Sequence, residues 1–170
     1  MGAELYDGFA GSAFVFNATT GIQAVELESD DRTQGDYFGS SVAIEGFTVA
    51  VGARFEDHDA LQTGAVYLFS TFTGNQTDKL TPPPEDRAND NFGYVVAADT
   101  GVVAITANGN DEQGVNAGAA YLYNATTREK IATYLPDEGA NNGNFGYSID
   151  YDSAVVAVGA TGDTVNGSNQ

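Results

Sequence analysis

The fold is decided by residues 38–69, which read FGSSVAIEGFTVAVGARFEDHDALQTGAVYLF. Three parts of this stretch occur three times in the chain, and successive copies are displaced by 53 or 54 residues. They are the Phe-Gly pair at 38–39, 92–93 and 145–146, the VAVGA-like segment at 49–53, 103–107 and 156–160, and the GAVYLF-like segment at 11–16, 64–69 and 118–123. Three landmarks that keep one period indicate an internal structural repeat.

Each repeat predicts four short antiparallel strands, which we name A, B, C and D. Strand A is expected at 38–44, 92–98 and 145–149, and strand B at 48–53 and its two copies. Strand C is the aromatic segment that ends at Phe69 or Tyr123, and a turn rich in Asn and Thr leads from it to strand D. No segment has the apolar periodicity of a helix.

The strands differ in how their polar residues are distributed. Strands B and C are apolar on both faces, whereas an exposed antiparallel sheet alternates, so B and C are expected to lie between two other sheets. Their aromatic residues are predicted to be core between sheets rather than a ligand platform: Tyr67, Phe69, Tyr121 and Tyr123. Strand D is expected to be an outer edge strand with one side partly exposed to solvent. In the third repeat it alternates Ile131, Thr133 and Leu135 with Lys130, Ala132 and Tyr134.

Four-stranded antiparallel units with a strict period predict an all-β fold built from β-propeller blades. A β-sandwich explains the strands but not the period, and a solenoid is the other alternative. The chain holds about three blade-equivalents, a partial propeller: a C–D half-blade and linker (1–37), complete blades (38–91 and 92–144) and an A–B half-blade (145–170). Two explanations of the half-blades stay open, a fragment of a longer chain or pairing between two copies.

Composition argues against several classes of function. The 170 residues include 24 acidic and 6 basic side chains, which give a net charge of −18. This charge argues against a nucleic acid partner and against docking on anionic lipid. The absence of cysteine excludes disulfides and thiolate chemistry. No apolar run approaches the ~20 residues of a membrane span, so no membrane insertion is expected, and the first residues predict no signal peptide.

The motifs FGSSVA at 38–43, VAVGA at 49–53 and GAVYLF at 64–69 resemble the FG-GAP repeat, and the resemblance covers almost the whole chain. This repeat builds the propeller head of integrin α subunits and many bacterial and algal surface proteins. The resemblance therefore implies a propeller, commonly seven-bladed, an extracellular or cell-surface location, and ligand binding or adhesion. Integrin-type blades often insert a calcium loop between strands A and B, but here that connection is a tight turn such as Glu45-Gly46, so the chain is similar to the calcium-free branch.

The polar loops between strands B and C carry candidate calcium ligands. Carboxylate and amide oxygens two residues apart are able to wrap a calcium ion, although no loop here has the complete pattern with its distal glutamate. The alternative is that these side chains are solvated and form turns. The candidate Ca²⁺ ligands are Asp57, Asp59, Asn108, Asn110, Asp111 and Asp163.

Three other polar groups attract attention. The D–A connections are acidic, and their regular spacing predicts a ring of carboxylates on one face of the propeller. The alternative is that these carboxylates only keep the surface soluble. They are Asp30, Asp31, Asp36, Glu85, Asp86, Asp90, Asp137 and Glu138. Four Asn-x-Ser/Thr sequons are candidate glycosylation sites, namely Asn17, Asn75, Asn124 and Asn166. His58 is expected to be an exposed loop histidine rather than a general base.

The sequence therefore predicts an extracellular or cell-surface propeller segment that binds a protein or glycan ligand through loops on one face. No enzymatic activity, catalytic residue or certain cofactor is expected. One alternative is a structural module that self-associates through its half-blades. The other is an ancillary domain of a secreted hydrolase.

Overall fold

The computed structural model of the chain describes residues 2–3, 10–57, 60–83, 88–136 and 141–162. These residues form β-strands and turns, and among them there is no apolar helix that would cross a membrane. The strands are β1 (Gly2–Ala3), β2 (Ser12–Phe16), β3 (Gln23–Leu27), β4 (Phe38–Glu45), β5 (Thr48–Ala53), β6 (Ala65–Ser70), β7 (Gln76–Leu80), β8 (Phe92–Asp99), β9 (Val102–Ala107), β10 (Ala119–Asn124), β11 (Lys130–Tyr134), β12 (Phe145–Asp152) and β13 (Val155–Ala160).

The strands form four antiparallel sheets. Two sheets have four strands, in the orders β4-β5-β6-β7 and β8-β9-β10-β11, so each contains strands A to D of one repeat in sequence order. The other two are β1-β2-β3 and β12-β13. β1 pairs with β2 in the register that β5 keeps with β6, since Ala3 lies opposite Ser12 as Ala53 lies opposite Ala65. The predicted all-β fold of propeller blades is confirmed.

Strand A is longer than the sequence predicts in all three repeats. β4, β8 and β12 continue to Glu45, Asp99 and Asp152, beyond the expected ends at 44, 98 and 149. Each of these acidic residues pairs with the first residue of strand B, as Glu45 does with Thr48. The connection between the strands is therefore a turn of two residues in every repeat.

The hydrophobic core lies between successive sheets. In β5 and β6 every residue except Thr48 and Ser70 is buried, which confirms that strands B and C are covered on both faces. One cluster joins β2 and β3 to β4, β5 and β6, and a second joins β5 and β6 to β8, β9 and β10. The four strand C aromatics that we predicted as core are all buried.

The Phe-Gly and Gly-Ala motifs meet where one sheet packs on the next. The ring of Phe92 packs against Tyr121 and Tyr123 of its own sheet, with centroids 5.5 and 5.9 Å apart. Its backbone forms a parallel bridge with Gly64, at the start of strand C in the preceding sheet. Gly64 has φ +85°, and a Cβ added there would fall on the carbonyl oxygen of Phe92. The two glycine-containing motifs are therefore two sides of one contact between blades.

One repeat has Thr106 where the others have glycine in strand B. Thr106 is fully buried, and its hydroxyl accepts a hydrogen bond from the backbone N–H of Val95 at 3.0 Å. The pairing of β8 with β9 shifts register between Phe92 and Val96, so Val95 has no backbone partner in β9. The Thr106 hydroxyl accepts the hydrogen bond that a backbone carbonyl would otherwise accept from Val95. The side chain is thus accommodated by a wider bulge in strand A.

Strand D departs from the regular alternation that the sequence predicts. The register of β10 with β11 shifts between Leu122 and Tyr123, so Ile131 lies opposite no residue. Ile131 is 54% exposed and Thr133 is exposed as well, whereas Ala132 between them is half-buried, so the side of β11 that carries Ile131 and Thr133 faces solvent. β7 has the same irregularity, which leaves Thr77 exposed.

Candidate binding face

The described loops lie at two opposite ends of the sheets. One end, which we call the loop face, carries the B–C loops at 54–63 and 108–117 and the D–A loops at 28–37, 81–91 and 135–144, as far as they are described. The other end, which we call the turn face, carries the two-residue A–B turns and the C–D turns. Loops on a rigid scaffold are where binding residues concentrate. The loop face is accordingly the first place to look for a site.

An arginine surrounded by aromatic rings lies on the loop face. The guanidinium carbon of Arg54 is 5.0 Å from the ring centroids of Tyr37 and Phe55 and 5.9 Å from that of Tyr94. Tyr37 and Phe55 meet edge to face at 4.9 Å. Tyr94 in turn lies 5.7 Å from Tyr147 of the next repeat. We call these five residues the Arg54 cluster.

Local strand geometry places the two tyrosines of this cluster that belong to strand A at the loop face. Tyr94 and Tyr147 each follow a Phe-Gly pair by one residue and lie where strand A shifts register against strand B. Such bulges turn a side chain away from the regular pleat. Burial, a hydrogen bond with Tyr147 and the proximity of that second hydroxyl raise the pKa of Tyr94, while Arg54 opposes the rise. Tyr147 is 49% exposed, so the cluster has one ring open to a ligand.

Sequence reasoning missed the Arg54 cluster. The sequence indicated only the aromatic residues of strand C as a surface on which a ligand could stack. A signal was available, because the position after the Phe-Gly pair is Ser40 in one repeat and tyrosine in the other two. Arg54 also stands where the next repeat has Asn108, so the cluster belongs to one junction between repeats rather than to all of them.

A second polar group on the loop face is an ion-pair network around Lys79, at the outer side of the blade. The Lys79 ammonium nitrogen lies 2.7 Å from Asp31 Oδ2 and 2.7 Å from Glu56 Oε1. The Tyr67 hydroxyl donates to Asp31 Oδ1 at 2.8 Å, and Lys79 lies 5.1 Å from the Tyr67 ring centroid. The network therefore connects strands C and D of one blade with its B–C loop and with the D–A loop before it.

The charges of this network change the pKa values of its members. Burial alone would raise the pKa of Asp31, but hydrogen bonds from Lys79 and Tyr67 hold it below its ordinary value. Burial alone would lower the pKa of Lys79, but the two carboxylates hold it above its ordinary value. Burial and the hydrogen bond to Asp31 raise the pKa of Tyr67. All three shifts favour the protonation states that pair at neutral pH.

The candidate calcium ligands that are described make structural hydrogen bonds. Asp57 Oδ1 accepts the N–H of Gln62 at 2.7 Å, and Asp111 Oδ1 accepts the N–H of Asn116 at 2.6 Å. Both bonds close a B–C loop at the same relative position. The structure brings together Asn91 with Asn108 at 3.4 Å, and Asp90 with Asn110 at 3.0 Å.

These contacts leave the calcium prediction open. Across the described ranges, no group of three or more His, Asp or Glu side chains is arranged to hold a metal ion. Asp59 and Asp163, together with His58, lie outside the described residues. Calcium binding in the B–C loops stays a prediction.

The expected ring of exposed carboxylates is wrong at Asp36 and Asp90, because both are buried. Asp36 accepts hydrogen bonds from the backbone and the hydroxyl of Thr33, each at 2.7 Å. Asp90 accepts from the Asn110 amide. Both side chains support the chain just before strand A instead of facing solvent. Asp30 and Asp31 are exposed, while Glu85, Asp86, Asp137 and Glu138 lie outside the described residues.

The three sequons that are described lie on the turn face, in two different settings. The side-chain oxygens of Asn17 and Asn124 each accept two backbone N–H bonds within their C–D turns, at 2.8–2.9 Å. They are structural residues of those turns. Asn75 is exposed and lies at the end of its turn. Asn166 lies outside the described residues.

Comparison with known families agrees with this repeated architecture. A family model described as FG-GAP repeat matches residues 22–69 and 75–123. Each matched segment begins near strand D of one sheet and ends in strand C of the next, so it spans one contact between blades. No curated protein is similar enough to the chain to count as a match.

Proposed function

Because the chain belongs to the FG-GAP repeat family, we propose that it is a binding segment of an extracellular or cell-surface β-propeller. It recognises a protein or glycan ligand through the loop face. Propellers typically bind partners with loops that the stacked blades hold rigid. No enzymatic activity is proposed, since the family is one of binding and adhesion modules more than of catalysts.

The Arg54 cluster is the observation that carries this proposal. Tyrosine and arginine are among the residues that contribute most to binding interfaces, because they combine large apolar contact with polar groups. The exposed ring of Tyr147 is backed by Tyr94, and Tyr94 by Arg54. A ligand that covers Tyr147 therefore meets a supported surface and not a mobile side chain.

A binding screen with two matched variants tests this function. The full chain is screened against glycan and protein arrays, and each ligand found is measured against Tyr147→Ser. Serine is the residue of the equivalent position 40, so the blade tolerates it. Loss of the ring is expected to weaken binding about tenfold or more, as at interface residues that contribute 1–2 kcal/mol or above.

Phe72→Ser is the matched control, because it removes an exposed aromatic ring from the turn face. It is expected to leave the affinity unchanged. The proposal is contradicted when both variants weaken binding alike, or when the folded chain binds nothing in either array.

Self-association through half-blades is a second candidate, favoured by the exposure of β13. Ala157 and Ala160 are exposed, whereas the equivalent Ala50 and Ala53 of β5 are buried under neighbouring strands. At the other end of the chain, an apolar groove of about 320 Å³ opens between β2, β3 and strand A of the next blade. We propose that β13 of one copy replaces β1 on β2 of a second copy, in the register that β5 keeps with β6.

Solution mass tests the second candidate. The full chain is expected to have the mass of a dimer or larger ring by light scattering. Ala157→Arg is expected to give a folded monomer, because an arginine is tolerated on the exposed strand but not between paired blades. A wild-type chain that is a sharp monomer at high concentration contradicts this candidate.

A further inference from the structure

Two exposed aromatic rings lie side by side on the turn face. Phe47, in an A–B turn, is 68% exposed, and Phe72, in the adjacent C–D turn, is 75% exposed. Their centroids are 4.6 Å apart, and the N–H of Thr71 donates to the carbonyl of Phe47 at 3.0 Å, which joins the two turns. Rings this exposed gain little from burial in the folded chain. Their arrangement therefore needs another explanation.

The aromatic pair is specific to one repeat. The equivalents of Phe47 are Gly101 and Ala154, and the equivalent of Phe72 is threonine in both other C–D turns. The turns of those repeats fold with small or polar residues at these positions. The geometry of an A–B or C–D turn therefore does not demand phenylalanine.

The same repeat also places its sequon differently. The turns that begin at Asn17 and Asn124 use the asparagine as their first residue, where its side chain closes the turn. Ser70 occupies that position in the turn that contains Phe72, and its hydroxyl accepts the N–H of Phe72 at 3.3 Å. The sequon of this repeat starts five residues later, at Asn75.

The Asn75 side chain does not close its turn, unlike the side chains of Asn17 and Asn124. Its backbone closes the turn, because its carbonyl accepts the N–H of Ser70 at 3.1 Å and its N–H donates to Thr73 Oγ1 at 3.2 Å. Its side-chain amide makes no hydrogen bond with the described part of the chain and is exposed. The asparagine is thus available for modification three residues after Phe72 on a closed turn.

We propose that Asn75 carries an N-linked glycan whose first sugar packs on the Phe72 ring, with Phe47 supporting that ring from behind. This inference rests on the extracellular location proposed above. The Asn75 amide nitrogen forms a bond to the anomeric carbon of an oligosaccharide, which a transferase of the secretory pathway takes from a lipid-linked diphosphate donor. The diphosphate is the leaving group, and the amide nitrogen gives up one proton.

Carbohydrate on an aromatic ring is a favourable contact. The C–H groups of one sugar face carry slight positive charge and meet the negative face of the ring. Attachment through Asn75 holds the sugar at a high effective concentration beside Phe72, so even a weak contact is well populated. The Phe72 side chain loses exposed apolar surface in the process. The glycan therefore stabilises the folded chain.

A variant cycle in two hosts tests the proposal. The full chain, Asn75→Gln, Phe72→Ser and the double variant are each secreted from a eukaryotic host and also produced in bacteria, which add no such glycan. Occupancy is read by mass spectrometry after enzymatic removal of the glycan in heavy-oxygen water. Secreted glycoproteins are trimmed to one sugar, and unfolding constants are measured by urea denaturation.

We expect Asn75 to be occupied and Asn75→Gln to raise the unfolding constant of the secreted protein about two- to tenfold, as the loss of one aromatic contact does. In secreted protein that carries Phe72→Ser, Asn75→Gln is expected to leave the unfolding constant unchanged. In protein produced in bacteria, Asn75→Gln is expected to leave the unfolding constant unchanged with either residue at position 72. An unmodified Asn75, or an equal effect with and without Phe72, overturns the proposal. Ligand binding at Tyr147 is measured separately, so failure of one idea leaves the other standing.

Discussion

Gly64→Ala is expected to destabilise the protein by about 2–5 kcal/mol. Gly64 has φ +85°, where an L-residue costs about 1–2 kcal/mol. The new Cβ would also fall on the backbone of Phe92 in the next blade, which is not a flexible side chain and gives way only if the blades separate. Overpacking of this kind costs about 1–3 kcal/mol. The free energy of unfolding is measured by urea denaturation with circular dichroism.

Gly101→Ala is the matched control for the contact between blades. Gly101 also has a left-handed backbone, with φ +75°, but a Cβ added there meets nothing within 4 Å. The strained backbone alone should therefore lower the free energy of unfolding of Gly101→Ala, by about 1–2 kcal/mol. Equal losses in the two variants would show that the close approach of Gly64 to Phe92 does not hold the blades together.

The repeat made most of this fold predictable from the sequence. Positions such as Gly64 and Phe92 must satisfy a backbone contact in every repeat, so the same residue types return at one spacing. Burial on both faces likewise forces strands B and C to stay apolar. Such constraints act at one position at a time and are therefore visible in a single sequence.

What escaped prediction depends on how distant positions meet. The bulge that leaves Ile131 without a pairing partner was not predicted, because a bulge depends on the neighbouring strand, which the sequence of one strand does not reveal. Asp36 and Asp90 look like ordinary surface carboxylates until their hydrogen-bond donors are known. The Arg54 cluster is assembled from the linker residue Tyr37 and from three repeats, and only Tyr94 recurs in the next repeat, as Tyr147. Irregular positions carry no period, and here the candidate site is made of them.

The network around Lys79 also joins distant positions, and its removal is the second large effect we expect. Lys79→Met keeps the stem that packs near Tyr67 but leaves the carboxylates of Asp31 and Glu56 without their cation. Breaking a buried ion pair costs about 3–5 kcal/mol, and the half-exposed Asp31 reduces this to about 2–3 kcal/mol here. Urea denaturation at pH 7 measures the loss.

Arg128→Met is the control for this substitution. Arg128 pairs with Asp78 at 2.9 Å, but both side chains are more exposed than those of Lys79 and Glu56. Exposed pairs contribute about 0–1 kcal/mol. A loss at Lys79 no larger than the loss at Arg128 would mean that the network adds nothing beyond surface charge.

The pH dependence of the Lys79→Met effect identifies its cause. The folded state lowers the pKa of Asp31, so its share of the stabilisation is present above the ordinary value of 3.8 and is lost as acid protonates the folded carboxylate. The folded state raises the pKa of Lys79, so that share is present below 10.5 and is lost as the pH rises through the folded value. The difference between wild type and variant is therefore expected to be largest between these limits and to shrink on both sides. If the difference stays constant from pH 2 to pH 11, Lys79 stabilises the blade through the packing of its stem and not through its charge.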